Sequence, residues 1–187
     1  KYNFKLINDN CHAIGAKYNG MGYATKYADV VTHSYHPVKN ITTGEGGAVL
    51  TNNKKIDKRV RILRNHGLEK MKKNSQYNPW PFEMKYLGYN YRITDFQCAL
   101  GISQLKKLNK FVKIRNRNHR IFRKFFENDK RFIIQKLSNY PSSFAFTMIL
   151  KKRYVSKKKY YLNKLKKAGI EYRLITGGSF FKHPVKK

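Results

Sequence analysis

The sequence predicts an α/β fold with a smaller α+β portion at its C-terminal end. Three observations carry that reading. Residues 1–50 hold three short apolar runs of strand length, "FKLIND", "ADVVTHSYH" and "GAVLTN", each closed by polar or turn residues. Helix-period segments follow, among them one long one, "TDFQCALGISQLKKLNKFVKIRNRNHRIFRKFFEN". From about residue 131 the texture changes to a strand–helix–strand order.

Taken in order, "FKLIND" reads as a buried strand whose polar end is Asp9, and "ADVVTHSYH" and "GAVLTN" as the strands that follow. "KKIDKRVRILRNHG" sets Ile56, Val60 and Leu63 at helical spacing, with Gly67 as the closing glycine. Residues 68–92 read as irregular, with "NPWPF" placing Trp80 in a packing role. Thr94 or Asp95 caps the long helix, and Phe96, Leu100, Leu105, Leu108, Phe111 and Val112 supply its apolar stripe. Beyond it, "SSFAFTMIL" reads as a strand, "SKKKYYLNKLKKAG" as a helix ending at Gly169, and "IEYRLIT" as another strand. Residues 1–130 are thus expected to form one domain and 131–187 part of a second. The chain opens almost directly on a core strand and stops abruptly at "FFKHPVKK", so it reads as an internal fragment of a longer protein.

Composition narrows the function classes. At 41% hydrophobic and 14% aromatic residues, the chain can bury a core, which argues against wholesale disorder. No run reaches the roughly 18 apolar residues of a membrane span, and the start lacks a signal peptide's apolar region. Cys11 and Cys98 lie far apart and form no metal-like pair, which fits two free thiols in a reducing cytoplasm. The formal charge of +31 raises nucleic acid as a partner. The lysines run along the whole chain, however, beside abundant Asn, Ile, Tyr and Phe. That pattern favours solvated lysine-rich faces over a dedicated nucleic-acid surface.

One lysine stands apart. In "SYHPVKNITTGEGGAVL", Lys39 follows a proline turn and precedes a glycine-rich run that enters a strand. With "NDNCHAIGAKYNG" before it and "LGYNYRITDFQCALGISQL" after it, this stretch resembles the sugar aminotransferases of the DegT/DnrJ/EryC1/StrS family. The resemblance covers residues 6 to about 115 closely and the rest more loosely. It implies the large domain of a fold-type-I enzyme that uses pyridoxal 5'-phosphate (PLP), lacking its N-terminal part, followed by a partial small domain.

The resemblance also implies roles. Lys39 matches the lysine that joins the cofactor covalently and then shuttles a proton, which requires its amine to be freed of its own proton. Gly44, Gly46 and Gly47 would let the backbone turn beside the ring. Asp9, at a strand's C-terminal end where α/β sheets place ligand groups, matches the aspartate that keeps the pyridine nitrogen protonated. Asn8 stands before it where the family usually has glutamate. His12 matches a position near the ring's phenolic oxygen, where a core histidine is the alternative. Ser34 matches a hydroxyl donor to the cofactor phosphate. Asn90 matches an asparagine reaching the phosphate held by a neighbouring subunit, which implies a homodimer with shared sites.

Some relatives carry histidine at the Lys39 position and dehydrate the sugar, so lysine favours transamination. The tail "GIEYRLITGGSFFKHP" is more similar to the dehydratase-type relatives, with Gly177, Gly178 and His183 as pocket candidates. The expected activity is transfer of an amino group, with glutamate as donor, to a nucleotide-linked 4-keto-6-deoxysugar. The alternatives are PLP-dependent sugar 3-dehydration and a non-catalytic basic protein that binds nucleic acid. The family's N-terminal phosphate-binding helix start is not found here, so the fragment alone is expected to be inactive.

Overall fold

The computed structural model describes residues 4–22, 26–71, 81–137, 140–174, 181 and 184. Trp80, Gly177, Gly178 and His183 lie outside the described residues. The chain divides into two compact units, one of Lys1–Phe125 with Lys136–Phe146, the other of Phe126–Gln135 with Thr147–Lys187.

In the first unit, β1 (Ile7–Asp9) precedes a small hairpin of β2 (Lys17–Tyr18) and β3 (Met21–Gly22), then β4 (Val30–Ser34) and β5 (Gly47–Leu50). β4 lies between β1, which it parallels, and β5, which runs antiparallel to it. The register sets Asp9 beside Thr32 and Ser34 beside Gly47, so the site candidates gather at one end of the sheet. Val31, on the central strand, is fully buried, and Ile41 is buried beyond it. β1 is not the buried strand its sequence suggests. Among the described residues it lies at the edge of the sheet, and Phe4 and Ile7 are about seven-tenths exposed, at 71% and 70%.

The helix α1 (Lys54–Leu63) starts on Asn53, whose side chain accepts from the Lys55 and Ile56 amides. That cap satisfies two of the amides every helix start leaves open. Gly67 does not cap it; Arg64 does. Gly67 instead has a positive φ of 74° in the next turn, where a Cβ would strike the Tyr86 carbonyl. Part of the stretch expected to be irregular is a hairpin of β6 (Leu68–Lys70) and β7 (Phe82–Met84). Glu69 on β6 pairs with Lys58 of α1 at 2.6 Å and, across the hairpin, with Lys85 at 3.3 Å.

The long helix α2 (Asp95–Phe126) opens on a capping box: Gln97 N–H donates to Thr94 Oγ1, and Thr94 N–H donates back to Gln97 Oε1. Its buried face differs from the expected stripe. Gly101, Val112, Asn116 and His119 are buried, whereas Phe96 is 91% exposed and Leu105 53%. Gly15 packs directly on this face: a Cβ there would sit 2.7 Å from Val112 Cγ2 and 3.2 Å from Leu108 Cδ1.

In the second unit, β8 (Phe132–Ile134) pairs antiparallel with β9 (Met148–Leu150), and a 3-10 turn over Lys152–Lys157 leads into α3 (Lys158–Lys167). Phe132 meets Phe126 and Tyr161, each at 6.0 Å between ring centres. Arg131 grips Asp129, whose carboxyl falls to about 2 through that side-chain hydrogen bond first. Gly169, at φ 69°, ends the helix as the sequence suggests. Two expected strands are corrected. Residues 170–174 have no strand beside them among the described residues and so form no ladder. Of "SSFAFTMIL", only Met148–Leu150 pairs, because side chains of α2 take backbone groups of the preceding stretch.

Candidate active site around Lys39

Residues 35–46 form a closed loop between β4 and β5. Tyr35 N–H donates to Gly46 O at 2.8 Å, and the Thr43 amide and the Thr42 hydroxyl both donate to Tyr35 O at 2.9 Å. Gly44 and Gly46 turn through positive φ, 81° and 149°, which spares the loop the strain a side chain would bring. Within it, Lys39 N–H donates to His36 O at 2.9 Å, and the next residues, Asn40 and Ile41, are buried. The backbone of Lys39 is therefore fixed while its side chain leads out toward β1.

Lys39 Nζ lies 2.6 Å from His12 Nε2. An ammonium has only donors, so His12 Nε2 must accept, and the ring proton belongs on Nδ1. Burial, then the Lys39 charge, push the His12 imidazole below its ordinary value, against the pull of Asp9. Phe144 lies flat on His12, with ring centres 3.9 Å apart and planes 7° from parallel, and Lys39 Nζ is 5.3 Å from the same ring centre.

Asp9 stands exposed at the end of β1. Its Oδ1 accepts from Cys11 N–H at 3.1 Å and from Thr32 Oγ1 at 3.5 Å. The Cys11 side chain first, then the Cys11 amide, hold the carboxyl below the usual range, so Asp9 is ionised. Burial in turn raises the Cys11 thiol, with Asp9 adding to it. Behind them the buried Asn10 meets His33, Nδ2 to Nε2 at 3.1 Å.

The structure thus brings Lys39 and His12 into contact, with Asp9 near enough for its charge to act on His12. Ser34 sits at the end of β4, its hydroxyl accepting weakly from His36 N–H at 3.4 Å. Asn90 is exposed; its side chain accepts from Arg92 Nε at 3.0 Å, and its backbone bridges to Asn65. A cavity of 300 Å³ opens beside Lys39, lined also by Asn40, Thr42, Gln104, Phe111 and Arg115. A larger one, 490 Å³, lies by Leu6, Tyr27, Asp29 and Asn53 and holds none of the expected site residues.

Sequence reasoning missed Phe144, Thr32 and Cys11. Phe144 sits in a stretch read as a strand, and no local pattern shows which way an aromatic in an irregular segment will turn. The residues present suit a pyridine ring bearing a phosphate: an ionised, exposed carboxylate, an amine that can form a carbon–nitrogen bond, and a hydroxyl at the end of a neighbouring strand.

The sequence profile of the DegT/DnrJ/EryC1/StrS aminotransferase family matches residues 1–186. A UDP-4-amino-4,6-dideoxy-N-acetyl-beta-L-altrosamine transaminase from Campylobacter jejuni subsp. jejuni is 43% identical over 143 residues, 76% of this chain and 36% of that protein. A GDP-4-keto-6-deoxy-D-mannose 3-dehydratase from Yersinia pseudotuberculosis is 32% identical over 95% of this chain and 47% of its own length. Among solved structures, Helicobacter pylori PseC, an aminotransferase involved in the biosynthesis of pseudoaminic acid, superposes with a TM-score of 0.83 at 27% identity, covering 97% of this chain and 47% of that one. The E. coli GDP-4-keto-6-deoxy-D-mannose-3-dehydratase with bound hydrated PLP gives 0.86 at 30%, covering 98% and 49%. The chain spans between about a third and a half of the length of these relatives.

Proposed function

The chain belongs to the DegT/DnrJ/EryC1/StrS aminotransferase family, and on that premise we propose that it supplies the lysine, carboxylate and histidine of a PLP-dependent transaminase acting on nucleotide-linked 4-keto-6-deoxysugars. Its fold is the α/β fold of the PLP-dependent sugar aminotransferases and dehydratases. The observation that carries the reading is the 2.6 Å contact between Lys39 Nζ and His12 Nε2, beside an ionised Asp9.

Bound PLP supplies a ring that draws off the electron pair left when a substrate carbon loses its proton. Asp9 holds a proton on the ring nitrogen, and an acceptor already ionised by its Cys11 and Thr32 partners suits that task. Lys39 would be the group that moves a proton between the substrate carbon and the cofactor, a task that calls for the free amine. His12, whose imidazole burial holds below its ordinary value, offers Nε2 as a partner for the amine without adding a competing positive charge. Ser34 donates to the phosphate from one protomer, and Asn90 from its partner, in a homodimer. The amino donor is glutamate, and the setting is the cytoplasm. No described helix is long and apolar enough to cross a membrane.

A second reading keeps PLP and replaces transamination by 3-dehydration. It is supported by dehydratase matches at 31–32% identity along 95% of the chain, beside transaminase matches that cover 76% and 91% of it. Analysis of the sugar product from a 4-ketosugar nucleotide separates the two: transamination leaves an amine at the former keto carbon, whereas dehydration leaves a ketosugar without its 3-hydroxyl.

The test is an absorbance spectrum of the full-length protein that contains this chain, with PLP, before and after borohydride, followed by mass mapping of the modified lysine. A pyridoxyl adduct on Lys39 that disappears in Lys39→Ala is the expected result. A protein with no chromophore and no adduct overturns the proposal.

A further inference from the structure

We propose that Phe144 is a positioning residue, a ring carried in on residues 140–146 that holds the His12 imidazole in place against the Lys39 amine. The inference rests on the proposed function for its catalytic meaning, but the arrangement stands on contacts within this chain.

The imidazole of His12 is held by a stack. Ring centres 3.9 Å apart and planes 7° from parallel leave His12 no room to turn about χ2 without losing the whole face of Phe144. The edge of the imidazole is thereby aimed at Lys39 Nζ. The ammonium also lies within cation–π range of Phe144, so one ring constrains both partners.

The ring of Phe144 is held in turn through its own backbone segment. Residues 141–147 form no strand or helix, so their backbone groups need other partners. Asn116, buried on α2, donates to Pro141 O at 2.5 Å and accepts from Ser143 N–H and Ser143 Oγ at 3.1 and 3.0 Å. Arg115 Nη1 donates to Phe144 O at 3.2 Å. Asn40, next to Lys39, donates to Ser142 Oγ at 2.5 Å. The residues just before Phe144 and its own carbonyl are therefore tied to α2 and to the lysine loop itself, and Phe146 beyond it packs on His119 and Phe122 of α2. An irregular segment bound at four points by side chains, two of them buried asparagines, orders one aromatic ring. The groups that act on His12 from the surrounding elements are Lys39 and Asp9, and Phe144 adds no charge to that set.

The stack has a spectroscopic signature that needs no cofactor. In the proton NMR spectrum of the chain, the imidazole C–H resonances of His12, assigned by their loss in His12→Gln, should lie upfield because they sit over a ring face. They should titrate below the ordinary 6.5. Phe144→Leu keeps bulk without a ring, and there the upfield displacement should vanish, while Phe144→Tyr should restore it. Circular dichroism reports whether each variant is folded. Wild-type resonances without upfield displacement overturn the proposal even if every variant fails to fold. So does a folded Phe144→Leu whose His12 resonances are unmoved. Failure of the PLP test with the upfield shift intact would remove the catalytic meaning and leave the positioning in place.

Discussion

Replacing Asn116 by alanine removes three hydrogen bonds at once, those to Pro141 O, Ser143 N–H and Ser143 Oγ. A neutral bond contributes about 1 kcal/mol net, and a buried group left without a partner costs about 1–3 kcal/mol. Asn116 is only 3% exposed, whereas Pro141 and Ser143 are half-buried, so water can reach part of what is orphaned. The expected loss is therefore about 2–3 kcal/mol, or roughly 30- to 150-fold in the opening equilibrium of the segment. Urea unfolding followed by circular dichroism gives the stability. Amide exchange at Ser143 gives the local opening. Because alanine also leaves a small void, a double-mutant cycle with Ser143→Ala isolates the hydroxyl bond. A stability change below about 0.5 kcal/mol, the ordinary range of a surface substitution, with Ser143 still protected, would refute the reasoning.

Gly67→Ala forces a Cβ into positive φ and against the Tyr86 carbonyl, so it should cost more than the about 1–2 kcal/mol of left-handed strain alone, read from the urea midpoint. His119 is 4% exposed, and neither ring nitrogen has a hydrogen-bond partner among the described residues. His119→Leu should stabilise the protein by about 1 kcal/mol, and an unchanged or lowered midpoint would count against it. Burial is the first cause that sets His12, His33 and His119 below 6.5. As pH falls past that value the unfolded chain takes up protons that the folded chain refuses, so stability should fall from about pH 6.5 downward. Urea midpoints across that range should show the slope, and His119→Leu should flatten it.

The lysine loop shows how far the sequence reaches. The glycines at 44 and 46, the proline turn and the strand-forming "GAVL" are local signals, and local signals were enough to place Lys39 between two strands with Asp9 and Ser34 at neighbouring strand ends. The capping box at Thr94 and Gln97 was equally local, with Thr94 readable as a cap. The apolar stripe of α2 was legible only in part, at Val112 and the half-buried Leu108 and Phe111. Which face of an amphipathic helix is buried depends on what lies opposite. Here Gly15 admits Val112 and Leu108, while Phe96 and Leu105 stay exposed. β1 failed as a buried strand for the same reason, since an apolar run shows what a strand could cover and not what covers it.

By itself, then, the sequence determined the α/β class, the family resemblance and the chemical types at the site, because strand runs, caps and turn glycines act over a few residues. Only the tertiary structure decided that His12 meets Lys39 and that Phe144 lies on both. Those contacts join positions 12, 39, 116 and 144, brought together by buried asparagines whose hydrogen bonds leave no periodic trace in the chain.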